Sequence, residues 1–132
     1  MKASSAKAKG RKLQDYVRDL LRLKFIKEWN LLPKLEEDDI KCQIMGVSGE
    51  DIVLSPAARR LIPYSFECKN QEKLNVWKAL EQAETNSEGR TPVVVIKRNR
   101  SKIYAVMEVE EWVELIRSKY ANNNGERKRR DS

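Results

Sequence analysis

The chain has 132 residues, 40% hydrophobic and 36% charged, with 27 basic against 20 acidic side chains for a net charge of +7. That length fits one domain with a core that needs no disulfide or structural metal, and the positive balance favours a polyanionic partner, nucleic acid first. No histidine occurs, which excludes Ser-His-Asp and Cys-His catalysis, His-based zinc sites and nucleases with a His base.

Cys42 and Cys68 lie singly in apolar runs. They are too few for a zinc site and read as reduced core residues of a cytoplasmic protein. The start, MKASSAKAKGRK, has no apolar segment of a signal peptide, and no run reaches membrane-spanning length, so no membrane partner is expected.

Residues 1–10 are small and basic and read as a flexible arm. From Arg11 to Trp29 the pattern is helical: Leu13, Val17, Leu20 and Leu21 repeat at three and four, beside Tyr16 and Phe25. Arg11, Arg18 and Arg22 form a basic stripe on another face and are candidate DNA contacts. Pro33 and Glu36–Asp39 form a loop. Ile40–Met45 reads as a first strand and Ile52–Leu54 as a second. Ser55-Pro56 with Arg59-Arg60 marks a hairpin tip, and Leu61–Lys69 returns as a third strand. Asn75 is the expected N-cap of a helix to Thr85 that buries Val76, Trp77, Leu80 and Ala83. Val93–Ile96 is apolar on both faces, as a central strand covered on both sides would be. Ile103–Met107 is another strand. Val109, Trp112, Val113 and Ile116 define a last amphipathic helix. Trp29, Trp77 and Trp112 read as core residues. From Ala121 the chain carries no further apolar residue and reads as a disordered basic tail. The fold class is α/β, a mixed sheet flanked by helices, in a single domain over 11–120.

The chemistry concentrates between Asp51 and Lys69. Residues two apart in a strand share a face, about 7 Å apart, so Glu67 and Lys69 point together while Phe66 and Cys68 point away. If the strand led by Asp51 lies alongside, two carboxylates and an ammonium meet at an apolar sheet. Buried charges need compensation, and a divalent cation fits. Phosphodiester hydrolysis needs an activated water and a counter-charge for the transition state, which Mg²⁺ supplies, with Mn²⁺ as a substitute. Asp51 and Glu67 are the candidate metal ligands, with the Cys68 carbonyl as a third. Lys69 is the candidate catalytic lysine. No small-molecule cofactor is implied. A second Glu-x-Lys, Glu126 and Lys128, has no strand around it and reads as coincidence. The competing reading of Glu67 and Lys69 is a plain salt bridge on a surface strand.

Asp51, then fifteen residues, then Glu67-Cys68-Lys69 resembles the PD-(D/E)xK nuclease superfamily. Its restriction-endonuclease-like core, helix, three strands, helix, strand, is similar to the order read from Arg11 to Ile96. Within it the chain resembles small phage-type and Holliday junction resolvase-like endonucleases. The resemblance implies a Mg²⁺-dependent endodeoxyribonuclease, a homodimer acting on DNA, branched DNA first, and a host-cytoplasmic location if phage-encoded. Members often carry a Glu on the first helix a few residues after a Gly; here Gly10 is followed by Gln14, which brings no charge, and Asp15 is a less well placed substitute. Glu50 stands where the motif has proline. Several branches have a Gln on the helix after the third strand, which maps to Gln82, with Lys78 one turn before it. Asn70 and Gln71 follow the motif as candidate phosphate contacts. The alternative is a non-catalytic nucleic-acid-binding module with a vestigial site, for which Gln14 is the main support.

Overall fold

A computed structural model describes residues 3–131, and the side chains of 5–121. Helix α1 spans Ala3–Arg22 and continues in a π-helical turn, Leu23–Lys27. It begins at Ala3, so residues 3–10, expected as an arm, are helical backbone. Leu13, Gln14 and Val17 are its buried positions, and Phe25 packs on the half-buried Trp29 with ring centroids 5.9 Å apart.

The acidic loop closes as one 3-10 turn, Glu37–Asp39, held by a capping box. Strand β1 (Ile40–Cys42) pairs antiparallel with β2 (Ile52–Leu54). The first strand is thus shorter than its apolar run, because Gly46 and Gly49, both at positive φ, turn the chain back. The expected hairpin tip after β2 is instead a helix, α2 (Pro56–Leu61). Ser55 caps it, accepting from the Ala58 amide, and Pro56 opens it. Ser-Pro served here as a helix start rather than a turn. Its last turn is followed by β3 (Tyr64–Asn70), two residues before which Ile62 is buried.

Helix α3 (Val76–Asn86) is capped by Asn75 as expected, its side chain accepting from the Lys78 amide. Strand β4 (Thr91–Lys97) runs parallel to β3 and antiparallel to β5 (Tyr104–Val106), giving a mixed sheet in the order β3-β4-β5. Val93 and Val95 join the main core with Leu13, Val17, Ile40, Ile52 and Ile62, while Val94 packs with Ala79 and Ala83 of α3. The central strand is therefore covered on both faces, as its sequence requires. The sheet flanked by helices is the restriction-endonuclease-like arrangement.

Burial expectations fail on α3 and on the last helix. Trp77 is 78% and Trp112 is 53% exposed; α3 buries Ala79 and Ala83, because only small residues fit where it lies against β4. The last helix, α4 (Val109–Asp131), runs through the segment expected as a disordered tail. Val109, Val113 and Ile116 are exposed as well. No helix among the described residues is long and apolar enough to cross a membrane.

Candidate active site

Asp51 stands just before β2, against the edge of β3 that β4 leaves free. Its amide donates to the Phe66 carbonyl at 3.0 Å, and its own carbonyl accepts from the Gln43 amide at 2.8 Å. Its Oδ2 accepts from the Cys68 amide at 2.7 Å. Two of these bonds land on the residues either side of Glu67, so the backbone of β3 fixes Asp51 beside it. The register partners of Glu67 and Lys69 on β4 are Val94 and Ile96, which pack towards α3. Glu67 and Lys69 thus share the α3 face of the sheet, and Cys68 is buried on the α1 side.

Asp51, Glu67 and Lys69 line one open cleft of about 490 Å³, together with Gln14, Gln82 and Asn86. Glu67 is only 2% exposed, and its Oε2 has no hydrogen-bond partner. Burial, and then the negative charge of Asp51, push its carboxyl up to about 7 against the opposing pull of Lys69 and Asn86. Burial also raises Asp51, against the Cys68 amide bond and the Lys69 ammonium. Two adjacent carboxylates, both raised by burial and Glu67 further by Asp51, one with an orphaned oxygen, are a donor set suited to a hard divalent cation. Among the described residues no third carboxylate, His or Cys completes a metal-ligating cluster, so water and phosphate oxygens would fill the remaining positions.

Gln14, 8% exposed, faces this cleft from α1. Asp15 points elsewhere: it pairs with Arg18 at 3.3 Å and accepts from the Cys42 thiol at 3.5 Å. Of the basic stripe, Arg18 also pairs with Asp19. Arg22 donates to the carbonyls of Ile40 and Glu37 and ties α1 to β1. Arg11 is exposed; none of the three lines the cleft. Asn70 and Gln71 do line it, and the Asn70 amide donates to the Lys9 carbonyl at 3.2 Å, fixing α1 to the end of β3. Lys78 lines a smaller adjoining groove with Lys69, Gln71 and Gln82.

Two contributors escaped the sequence reading. Asn86 reaches the cleft and donates to the Gly49 carbonyl at 3.3 Å; it lies four residues after Gln82 on the same helix face, a spacing that would have found it. Glu50 is 7% exposed and accepts from Ser65 Oγ at 3.1 Å, from Arg59 Nη2 at 3.4 Å and, at short range, from Arg90 Nη2. Arg90 also donates to the Tyr64 carbonyl. This buried network clamps the residue before Asp51 onto β3. No sequence signal marks it, because its partners lie 9, 15 and 40 residues away.

The chain matches, over residues 5–130, the model of the family described as "Phage putative PDDEXK endonuclease". No curated protein and no solved structure matches it significantly. The match takes in Asp51, the strand that carries Glu67 and Lys69, and the helix that carries Gln14. The chain belongs to this phage PDDEXK endonuclease family.

Proposed function

We propose that the chain is a Mg²⁺-dependent endodeoxyribonuclease acting through Asp51, Glu67 and Lys69. The observation that carries this reading is the convergence of the buried Glu67 carboxylate, the half-buried Asp51 carboxylate and one ammonium in a single cleft, with both acids raised by desolvation. Asp51 and Glu67 would hold the cation. A strand residue directs its N–H and C=O to the same edge, so the Cys68 carbonyl leaves β3 on the side where the Cys68 amide meets Asp51 and is the third candidate ligand. Bound there, the ion would supply Lewis acidity at the scissile phosphate and an acidified water. Lys69 hydrogen-bonds the attacking water or a phosphate oxygen and offsets the charge that develops on the phosphate. The amides of Gln14 and Asn86 orient water at the cleft wall. Asn70, Gln82 and Lys78 are candidate phosphate contacts beyond it.

A branched substrate such as a four-way junction is the first choice, on family analogy. The test incubates the protein with labelled junction, nicked, single-stranded and linear duplex DNA, in Mg²⁺ or in chelator. Cleavage of at least one substrate in Mg²⁺ and of none in chelator is expected. No cleavage of any, with DNA binding retained, favours the non-catalytic module, the reading that Gln14 supports.

A homodimer belongs to the same proposal. Every described side chain of α4 from Val109 to Ala121 is exposed, and Val109, Trp112, Val113, Ile116 and Tyr120 form one apolar stripe at helical spacing. Glu108 and Lys119 flank it on one side, Glu110 and Arg117 on the other, at 100° per residue. A two-fold antiparallel pair brings like flanks together and so sets Glu108 against Lys119 and Glu110 against Arg117; a parallel pair opposes like charges. Sedimentation equilibrium should give a dimer that Ile116→Glu dissociates.

A further inference from the structure

The end of β4 and the turn to β5 read Lys97-Arg98-Asn99-Arg100-Ser101-Lys102, four cations in six residues. Arg98, Arg100 and Lys102 are exposed, and among the described residues none of them has an acidic partner. Like charges at this density repel, yet the turn has a defined shape. The Arg98 amide donates to Ser101 Oγ at 3.0 Å, and the Ser101 amide donates to the Arg98 carbonyl at 3.2 Å. Arg100 sits at φ 63, a strained position for a side chain of this size.

The turn is also anchored to α1 and to the residues that follow the catalytic strand. The Asn99 amide donates to Glu72 Oε1 at 2.8 Å, and Lys9 Nζ donates to Asn99 Oδ1 at 2.5 Å. The Gln71 amide donates to the Lys97 carbonyl at 3.0 Å, and Lys97 is the register partner of Asn70, one step beyond Lys69. Gln71 therefore lines both the catalytic cleft and a second groove of about 420 Å³ walled by Lys97, Arg98, Lys102 and Tyr104. The two depressions adjoin at Gln71, one holding the acidic pair and the other bordered by cations without acidic partners.

We infer that this turn is a second DNA-binding site, a phosphate clamp that holds the backbone of the same DNA as it leaves the cleft past Gln71. This rests on the nuclease reading of the cleft and adds the path of the substrate. Cations on a turn whose backbone is hydrogen-bonded to the residues just after β3 set the register of the phosphates relative to Glu67 and Lys69, which loose surface lysines do not. The acidic pair itself repels phosphate, so attraction has to come from a neighbouring element whose distance from it is fixed.

The experiment is salt-dependent fluorescence anisotropy of full-length protein on labelled duplex DNA in chelator, where no cleavage occurs. The variant is Arg98→Gln/Arg100→Asn/Lys102→Gln. The control is Lys24→Gln/Lys27→Gln/Lys34→Gln, which removes the same charge beyond the far end of α1. Circular dichroism checks that both fold, and Lys102→Gln alone serves if the triple variant does not. The turn variant should weaken binding at least tenfold at 0.1 M salt and flatten the log–log salt slope by about 0.9 for each phosphate no longer neutralised; the control should keep most of the slope. Equal losses in both variants mean a net-charge effect only and overturn the clamp. Wild-type binding with an unaltered turn variant overturns the clamp alone. No binding by the wild-type chain overturns the nuclease reading and the clamp together.

Discussion

The Asp51 carboxylate accepts a hydrogen bond from the Cys68 backbone amide at 2.7 Å, while the Asp51 amide donates to the carbonyl of Phe66. A residue from one sheet is thus clipped to the edge of another at the two positions that bracket Glu67. The contact holds one acid against the next without either making an ion pair with the other's neighbours, and it leaves the Glu67 carboxylate without a full set of partners.

A metal-free protein should reveal this in its pH dependence. Burial and Asp51 hold Glu67 at about 7, above its ordinary 4.5. Between those values the folded state binds more protons than the unfolded chain, so stability falls as pH rises through the window and levels off above it. The loss is on the order of 3 kcal/mol. Urea unfolding in chelator at pH 5 and pH 8 measures it. Glu67→Gln should remove the slope and be the more stable protein at pH 8.

Cation binding should release a proton. At pH 6.5 Glu67 is largely protonated by the same shift, and a divalent ion needs the carboxylate. Calorimetric titration with Mn²⁺ in buffers of different ionisation enthalpy should give about one proton released near pH 6.5 and fewer at pH 8.5. Asp51→Asn or Glu67→Gln should abolish the binding heat.

Lys69→Met keeps the aliphatic stem and removes the charge. Cleavage should fall by about 10²- to 10⁴-fold, the range for removing a positioned proton donor or charge at a reacting centre. Affinity for uncleaved DNA in chelator should change by no more than about twofold. A variant that no longer folds would instead assign Lys69 a structural role.

Gln14→Glu places a third acid in the cleft at a position only 8% exposed. It should tighten Mn²⁺ binding roughly tenfold, since affinity at oxygen sites follows the charge of the ligand set. In chelator the same variant should melt several degrees lower, because another buried carboxylate lacks a partner. Opposite signs with and without metal identify Gln14 as part of the cation's surroundings.

Glu50→Gln leaves the buried Arg90 facing a neutral amide; Arg59, 38% exposed, keeps contact with solvent. Breaking one side of such a network costs about 3–5 kcal/mol, to be read as a lower urea midpoint. Because Glu50 adjoins Asp51, Mn²⁺ affinity should weaken as well.

Much of the fold was legible locally. Asn75 capped its helix, and Val93–Ile96 became the central strand, because side-chain caps and two-sided apolar runs act over a few residues. Ser55-Pro56 misled: the dipeptide suits a turn and a helix start equally, and only the packing of Ala58 into the core chose the helix. Trp77 and Trp112 misled for a related reason. Periodicity says that a residue lies on a helix's apolar stripe, whereas burial depends on what stands opposite.

The spacing of Asp51, Glu67 and Lys69, the Gln at position 14 and the lack of histidine were properties of the amino-acid order, and they defined which chemistry was open to the chain. That Glu67 and Lys69 share a face follows from strand geometry alone. The tertiary structure decided the rest: that Asp51 docks on the free edge of β3, that Glu50 is clamped by arginines far away in the chain, and that the β4–β5 turn stands beside the cleft. Each of these depends on contacts between residues distant in sequence, whose partners are chosen by how the whole chain packs and leave no periodic trace in any one segment.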